Sequence, residues 1–267
     1  MKIYIDSADL DEIKKAYEWG IADGVTTNPS LLKKAVGKRA DINMKKYIID
    51  ILKTAEGTPV SLEVTTETSK EMIAEGKKLY ELFNPVAGNV VIKIPVNPAY
   101  TDADKTHFDG IKTIKALSTE GIPVNTTLIF TPEQALLAAK AGARYVSPFA
   151  GRVDDLIRKN SGMSFGKDDY YPHDGKTKDG VVQDDTGVVS GIDLVSQCVD
   201  ILRYYGLETE VLAASLRNPR QVRDAALVGA DIATLPFPVI ADMLKHKKTY
   251  EGMEAFKKDI VDEYARL

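Results

Sequence analysis

The chain has 267 residues, 44% hydrophobic and 28% charged, an ordinary globular composition that excludes a disordered or collagen-like polymer. Its formal net charge of −4, with no long basic run, provides no phosphate-tracking surface, so a small molecule rather than nucleic acid is the expected partner. Cys198 is the single cysteine, which rules out an internal disulfide framework and suits a reducing compartment.

In chain order, the opening MKIYIDSADL turns acidic at Asp6, too early for a secretory signal, and no run approaches the ~20 apolar residues of a membrane span. A cytoplasmic location with no membrane contact is expected. Eight short apolar runs rich in Val, Ile and Thr then alternate with stretches of helical period: 2–6, 24–28, 60–64, 90–95, 122–128, 144–149, 210–215 and 232–236. Eight strand–helix units in one chain predict an α/β fold, a (β/α)8 TIM barrel, as a single domain over 1–267; a doubly wound sheet would share the alternation. DLDE at 9–12 and TPEQ at 131–134 read as capping boxes, and NPRQ at 218–221 as a cap followed by proline. An extended polar loop is expected at about 156–190 and a C-terminal amphipathic helix at about 249–267.

Successive strand residues point to opposite faces, so each run divides into two sets. In 90–95, Lys93 shares a face with Val91 and Pro95, inside a strand whose two faces both read as covered. Glu63 stands with Ser61, Asp6 with Tyr4, Asn28 with Thr26, Asn125 with Thr127, Ser147 with Phe149, and Ser215 with Ala213. If the apolar sets pack on the helices, the polar sets converge near the C-terminal ends of the barrel strands. Taken singly, Asp6 and Asn28 read better as turn or cap residues. Lys93 with Glu63 fits a buried structural ion pair too, yet such pairs often fail to outperform apolar replacements, which favours a functional reading.

A lysine becomes a nucleophile when its neutral amine is populated, and the reaction it then supports is Schiff-base formation with a ketone or aldehyde. Glu63 on the neighbouring strand is placed to move the protons of dehydration, with Thr127 holding a water, and Asp6 is a second carboxylate for carbon–carbon bond cleavage. A zinc-dependent route is not expected, because His107, His173 and His246 are the only histidines and none lies on a strand. Arg152 follows the sixth strand, and Ser215 and Arg217 follow the seventh, where barrels commonly hold anions.

GVTTNPSLL (24–32), VVIKIP (90–95), AAKAGARYVSPFAGR (138–152) and AASLRNP (213–219) resemble, in order, the motifs of the transaldolases and fructose-6-phosphate aldolases. The resemblance implies that Lys93 is the Schiff-base lysine, Asp6 the acid/base for cleavage, and Glu63 with Thr127 the water-positioning pair. It implies that Thr27, Asn28, Asn125, Ser147 and Phe149 line the dihydroxyacetone unit, and that Arg152, Ser215 and Arg217 hold a distal anion. It also implies sugar-phosphate substrates, no cofactor and no metal. Glu63 and Phe149 are similar to the transaldolase branch, where the aldolase branch has Gln and Tyr. Close rivals are a transaldolase of 6-deoxy-6-sulfofructose and an aldolase releasing free dihydroxyacetone; the rival of another class is a non-catalytic sugar-phosphate-binding barrel. QDDTGVVSGIDLV (183–195) is similar to a loop end of the larger dimeric transaldolases, whereas the rest resembles the compact ring-forming ones, so a homo-oligomer is expected.

Overall fold

The computed structural model describes residues 1–37, 43–55, 57–261, 264 and 266. Its strands are β1 (Lys2–Asp6), β2 (Gly24–Thr26), β3 (Val60–Glu63), β4 (Val90–Pro95), β5 (Val124–Ile129), β6 (Tyr145–Pro148), β7 (Thr177–Lys178), β8 (Val181–Val182), β9 (Glu210–Ala213) and β10 (Ile232–Leu235). The helices are α1 (Leu10–Glu18), α2 (Pro29–Val36), α3 (Met44–Thr54), α4 (Ser69–Ala87), α5 (Asp109–Thr119), α6 (Pro132–Ala141), α7 (Ala150–Asn160), α8 (Gly191–Tyr204), α9 (Pro219–Leu227), α10 (Phe237–Asp242) and α11 (Lys247–Lys258). The eight expected runs pair in parallel and close into a barrel in the order β1-β10-β9-β6-β5-β4-β3-β2, while β7 and β8 form a separate antiparallel hairpin in the long loop. Parallel neighbours need crossover connections, and the helices supply them. No described helix is long and apolar enough to cross a membrane.

Helix starts follow their local chemistry. Thr131 and Gln134 form a full capping box on α6, and Asn218 accepts from Gln221 N ahead of Pro219. At α1 the expected box is half formed: Asp9 accepts from Asp11 N and Glu12 N, but Glu12 turns aside and accepts from Ser7 Oγ at 2.5 Å.

The core has two parts. The outward sets of the strands pack on the helices, with Ile5, Val25, Val60, Ile92, Val146 and Ala233 fully buried between them. Inside the barrel, Tyr4, Val91, Tyr145, Leu212 and Ile232 form a second apolar cluster. Tyr4 and Tyr145 meet edge-on, 6.2 Å between ring centroids, and burial pushes the Tyr4 hydroxyl well above its ordinary range. Gly24 is required opposite them, because a Cβ there would lie 2.7 Å from the Tyr4 ring. This plug fills the lower barrel and leaves the polar inward residues above it.

The alternation read from the sequence holds except in β9. Leu212 and Ala214 face inward, while Ala213 packs with the helix-side core. Ser215 returns toward the mouth through a left-handed backbone, φ 60°, rather than by strand periodicity. In β5 the strand begins at Val124, and its register against β6 shifts between Thr126 and Ile129, with Leu128 at φ 59°. Such a bulge at a strand end re-aims the chain beside a site.

The long loop begins later than expected, since α7 continues through Asn160 and Ser190 caps α8. It is more than a solvated excursion. Tyr171 is fully buried, and the Arg158 guanidinium sits 5.0 Å from the ring centroids of both Phe165 and Tyr171 while donating to Asp169 O. At the C-terminus, α11 ends at Lys258; residues 262, 263, 265 and 267 of the expected helix lie outside the described residues. No α11 residue is buried, and Tyr250, Met253 and Phe256 are exposed at helical spacing.

Asp154 is only 1% exposed, its carboxylate accepting from Gly191 N at 2.7 Å and Gln221 Nε2 at 2.8 Å. Burial pushes its carboxyl up to about 6, against the pull of those donors and of the Arg158 and Arg217 charges. The folded chain therefore keeps this proton in a window where the unfolded chain has lost it, and the group's contribution to stability falls as pH rises from 3.8 to about 6. A shift of this size corresponds to at most about 3 kcal/mol. The stability of Asp154→Asn relative to the parent chain, measured by chemical unfolding, should rise by about 2–3 kcal/mol between pH 4 and pH 7. A constant or shrinking difference would contradict the assignment.

Candidate active site

Strand register assembles the site. Glu63 pairs with Lys93 across β3 and β4, and Lys93 with Asn125 across β4 and β5, so three polar side chains occupy one level of the barrel interior. Lys93 is buried; its Nζ lies 3.2 Å from Glu63 Oε2 and donates to Thr27 O at 3.3 Å.

Asp6 reaches the same space from the end of β1. Its Oδ1 accepts from Thr26 Oγ1 at 2.8 Å, and the Thr26 hydroxyl also contacts Thr234 Oγ1. Burial raises the Asp6 carboxyl above its ordinary range, with the Lys93 charge and the Thr26 hydroxyl pulling the other way. A carboxyl poised in this manner suits proton transfer better than a solvated one.

Lys93 borders two openings, as do Asn28, Phe149 and Arg152. A narrow cavity of about 130 Å³ is lined by Asp6, Thr26, Asn28, Lys93, Asn125, Ser147, Phe149, Arg152, Ser215 and Thr234. A second, of about 390 Å³, is lined by Asn28, Lys34, Glu63, Lys93, Thr127, Phe149 and Arg152. Asp6 therefore borders one opening and Glu63 the other, with the amine common to both. Thr127 Oγ1 is buried with no hydrogen-bond partner among the described residues and borders the Glu63 side.

Asn125 is oriented by its neighbours: Nδ2 donates to Ser61 Oγ at 3.1 Å, and Oδ1 accepts from Ser147 Oγ at 2.7 Å. Asn28 combines a helix cap with a place at the mouth. It is the N-cap of α2, accepting from Leu31 N at 2.9 Å, and it borders both cavities. Thr27 stands apart from the others, because its hydroxyl donates to Ser61 O and only its carbonyl meets Lys93. Phe149 lies against Phe130, and the exposed Arg152 guanidinium stands 5.0 Å over its ring. Arg152 has no acidic partner at ion-pair distance among the described residues, whereas Arg217 is chelated by Asp155 at 2.7 and 2.6 Å and donates to Lys167 O.

Ser61, Thr26 and Thr234 were not singled out by sequence reasoning. Their signal was the inward phase they share with Glu63, Asn28 and the other mouth residues, which small hydroxyls carry too weakly to stand out. Among the described residues no group of three or more His, Cys, Asp or Glu side chains is arranged to hold a metal ion. His107 instead braces the β4–α5 loop through Asn97 and Thr101 O, and His246 caps α11.

Comparison with known proteins adds an independent line. The family model described as transaldolase/fructose-6-phosphate aldolase matches residues 3–266. The chain is 43% identical over 262 residues to a "Probable transaldolase" of Prosthecochloris aestuarii, covering 97% of each chain. It is 42% identical over 259 residues to a "Probable transaldolase" of Aquifex aeolicus, covering 97% of this chain and 96% of the relative. A solved chain described as "Pediococcus acidilactici (Putative)lactate oxidase" superposes with a TM-score of 0.51 at 13% identity, covering 89% of this chain and 63% of that one. At that identity the likeness concerns the fold alone.

Proposed function

The chain belongs to the transaldolase/fructose-6-phosphate aldolase family, and from that premise we propose that it is a cytoplasmic transaldolase. It moves a dihydroxyacetone unit from a ketose phosphate, fructose 6-phosphate or sedoheptulose 7-phosphate, to an aldose phosphate. The observation that carries this reading is a buried lysine with one carboxylate on each side, each bordering a different opening.

Lys93 Nζ attacks the ketose carbonyl carbon, and the carbinolamine loses its hydroxyl as water. Glu63, 3.2 Å from Nζ, supplies the proton for that departure through a water held at Thr127 Oγ1. Asp6 takes the proton of the C4 hydroxyl as the C3–C4 bond breaks, the bonding electrons passing into the iminium to give an enamine. An aldehyde product leaves. The acceptor aldehyde enters, the enamine carbon bonds to it, and Asp6 returns the proton to the new alkoxide. Water then releases the new ketose from Lys93. Raised by burial, the Asp6 carboxyl is suited to hold that proton between the two half-reactions.

Asn125 and Ser147, locked to each other, offer fixed partners for the hydroxyls of the three-carbon unit, and Asn28 adds its amide nitrogen. Arg152 and Ser215, with Arg217 behind them, receive the distal anion; a sulfonate would meet the same groups as a phosphate. No metal and no cofactor take part in this route. Phe149 favours transfer over release: it borders both openings and has no hydroxyl to protonate the enamine before an acceptor arrives. For the assembly we propose a homo-oligomer in which the uncovered Tyr250, Met253 and Phe256 of α11 pack on another copy. Sedimentation at a single-chain mass at micromolar concentration would overturn that arrangement.

Turnover of fructose 6-phosphate should require erythrose 4-phosphate or a comparable aldose phosphate. Phe149→Tyr should raise release of free dihydroxyacetone without acceptor by about tenfold or more. Equal turnover of the parent chain with and without acceptor would replace transaldolase by aldolase, and no change in Phe149→Tyr would undo the protonation argument.

A further inference from the structure

The first turns of α8 and α9 meet on Asp154 of α7, a residue that borders neither opening at Lys93. We infer that Asp154 and Gln221 are positioning residues, a buried relay that sets the β9–α9 turn and thereby the affinity of Ser215 and Arg217 for the anionic end of the substrate. The inference rests on the reading that this end receives the phosphate or sulfonate.

The relay is continuous. Gln221, 2% exposed, donates from Nε2 to the Asp154 carboxylate at 2.8 Å. Its Oε1 accepts from the backbone N of Arg217 at 2.8 Å, so one amide joins the carboxylate on α7 to the chain that carries the arginine. The Arg217 guanidinium returns to the same helix and chelates Asp155. Adjacent aspartates thus fix the turn twice, at its backbone and at its side chain, on the helix whose first turn bears Arg152.

This turn needs fixing. Ser215 holds φ 60°, a conformation unfavourable for a non-glycine residue that persists where the surroundings over-determine it. Close approach is built in as well: a Cβ on Gly151 would lie 2.3 Å from Ser215 O and 2.9 Å from Arg217 Nε. Gly191, whose N–H is the other donor to Asp154, is held so near α7 that a Cβ would lie 2.0 Å from Ala150 O.

Asp154 has no cation at ion-pair distance among the described residues. The charged and titratable groups that face it are Arg158 from its own helix, Arg217 from the turn and Tyr171 from the long loop. A carboxylate buried on hydrogen bonds alone is unfavourable for folding compared with an apolar pair. Its use lies in the direction it gives to Gln221. Such a relay acts on binding of the charged end and not on chemistry at the amine.

The test compares the parent chain with Gln221→Leu, Arg217→Leu and the double variant. Two measurements are made: kcat and KM for fructose 6-phosphate, and the dihydroxyacetone concentration giving half-maximal borohydride-trapped adduct. Dihydroxyacetone carries no anion. Gln221→Leu should raise KM about tenfold, change kcat by less than about twofold and leave the dihydroxyacetone half-saturation unchanged. In the Arg217→Leu background Gln221→Leu should add less than it does alone, since both act through one turn and only the Ser215 part remains. The inference is overturned if dihydroxyacetone half-saturation rises with KM, or if the full effect of Gln221→Leu persists beside Arg217→Leu. Asp154→Asn, which keeps size and one acceptor, should raise KM in the same direction by a smaller factor, and no rise would also overturn it. An adduct with unaltered KM values defeats this inference alone, whereas no adduct in the parent chain defeats the Schiff-base reading beneath it.

Discussion

The contact between Lys93 and Glu63 inside a closed barrel is the constraint around which the site is arranged. Register places the two residues opposite one another on adjacent strands, and the strand alternation turns both side chains into the closed barrel. Below them the Tyr4–Tyr145 plug excludes water from the lower barrel, and above them lies the mouth. Desolvation in such a place strengthens every electrostatic interaction, so an amine and a carboxylate 3.2 Å apart must be used or compensated. The Thr27 carbonyl gives the amine a second acceptor, while Thr127 Oγ1 and the Asn28 amide nitrogen have no hydrogen-bond partner among the described residues.

A second physical theme is the separation of tasks around the amine. Asp6 and Glu63 border different openings, and they differ in surroundings: Asp6 is held by a threonine pair in a narrow cavity, Glu63 by the lysine itself at the edge of a wider one. Two carboxylates in distinct environments can serve two proton transfers without exchanging roles. In the proposed route the anion end is separate again, on the β9–α9 turn and the first turn of α7, so that chemistry and charge recognition would rest on different elements and a variant in one leaves the other to be measured.

The barrel was legible because eight covered strands must alternate with crossover helices, and because charged residues in buried strands stand out. Lys93 and Glu63 were readable for that reason, and the shared phase carried Asp6, Asn125 and Ser147 to the mouth with them. The β9 end was misread, since Ser215 reaches the mouth through a left-handed backbone that periodicity does not encode. Arg217 was legible as a cation, but its chelation by Asp155 joins residues 62 positions apart, a contact no local pattern reveals. Asp154 and Gln221 look from sequence like ordinary polar positions of two surface helices; only the close approach at Gly151 and Gly191 buries them. The long loop likewise read only as polar, because a single tyrosine and an arginine between rings leave little trace in composition.

The central claim is that Lys93 is the nucleophile. Borohydride reduction in the presence of fructose 6-phosphate, followed by peptide mass mapping, tests it most directly. The account predicts one reduced adduct on the peptide containing Lys93, lost in Lys93→Ala. No adduct, or an adduct on Lys34, whose side chain borders the same opening, would contradict it.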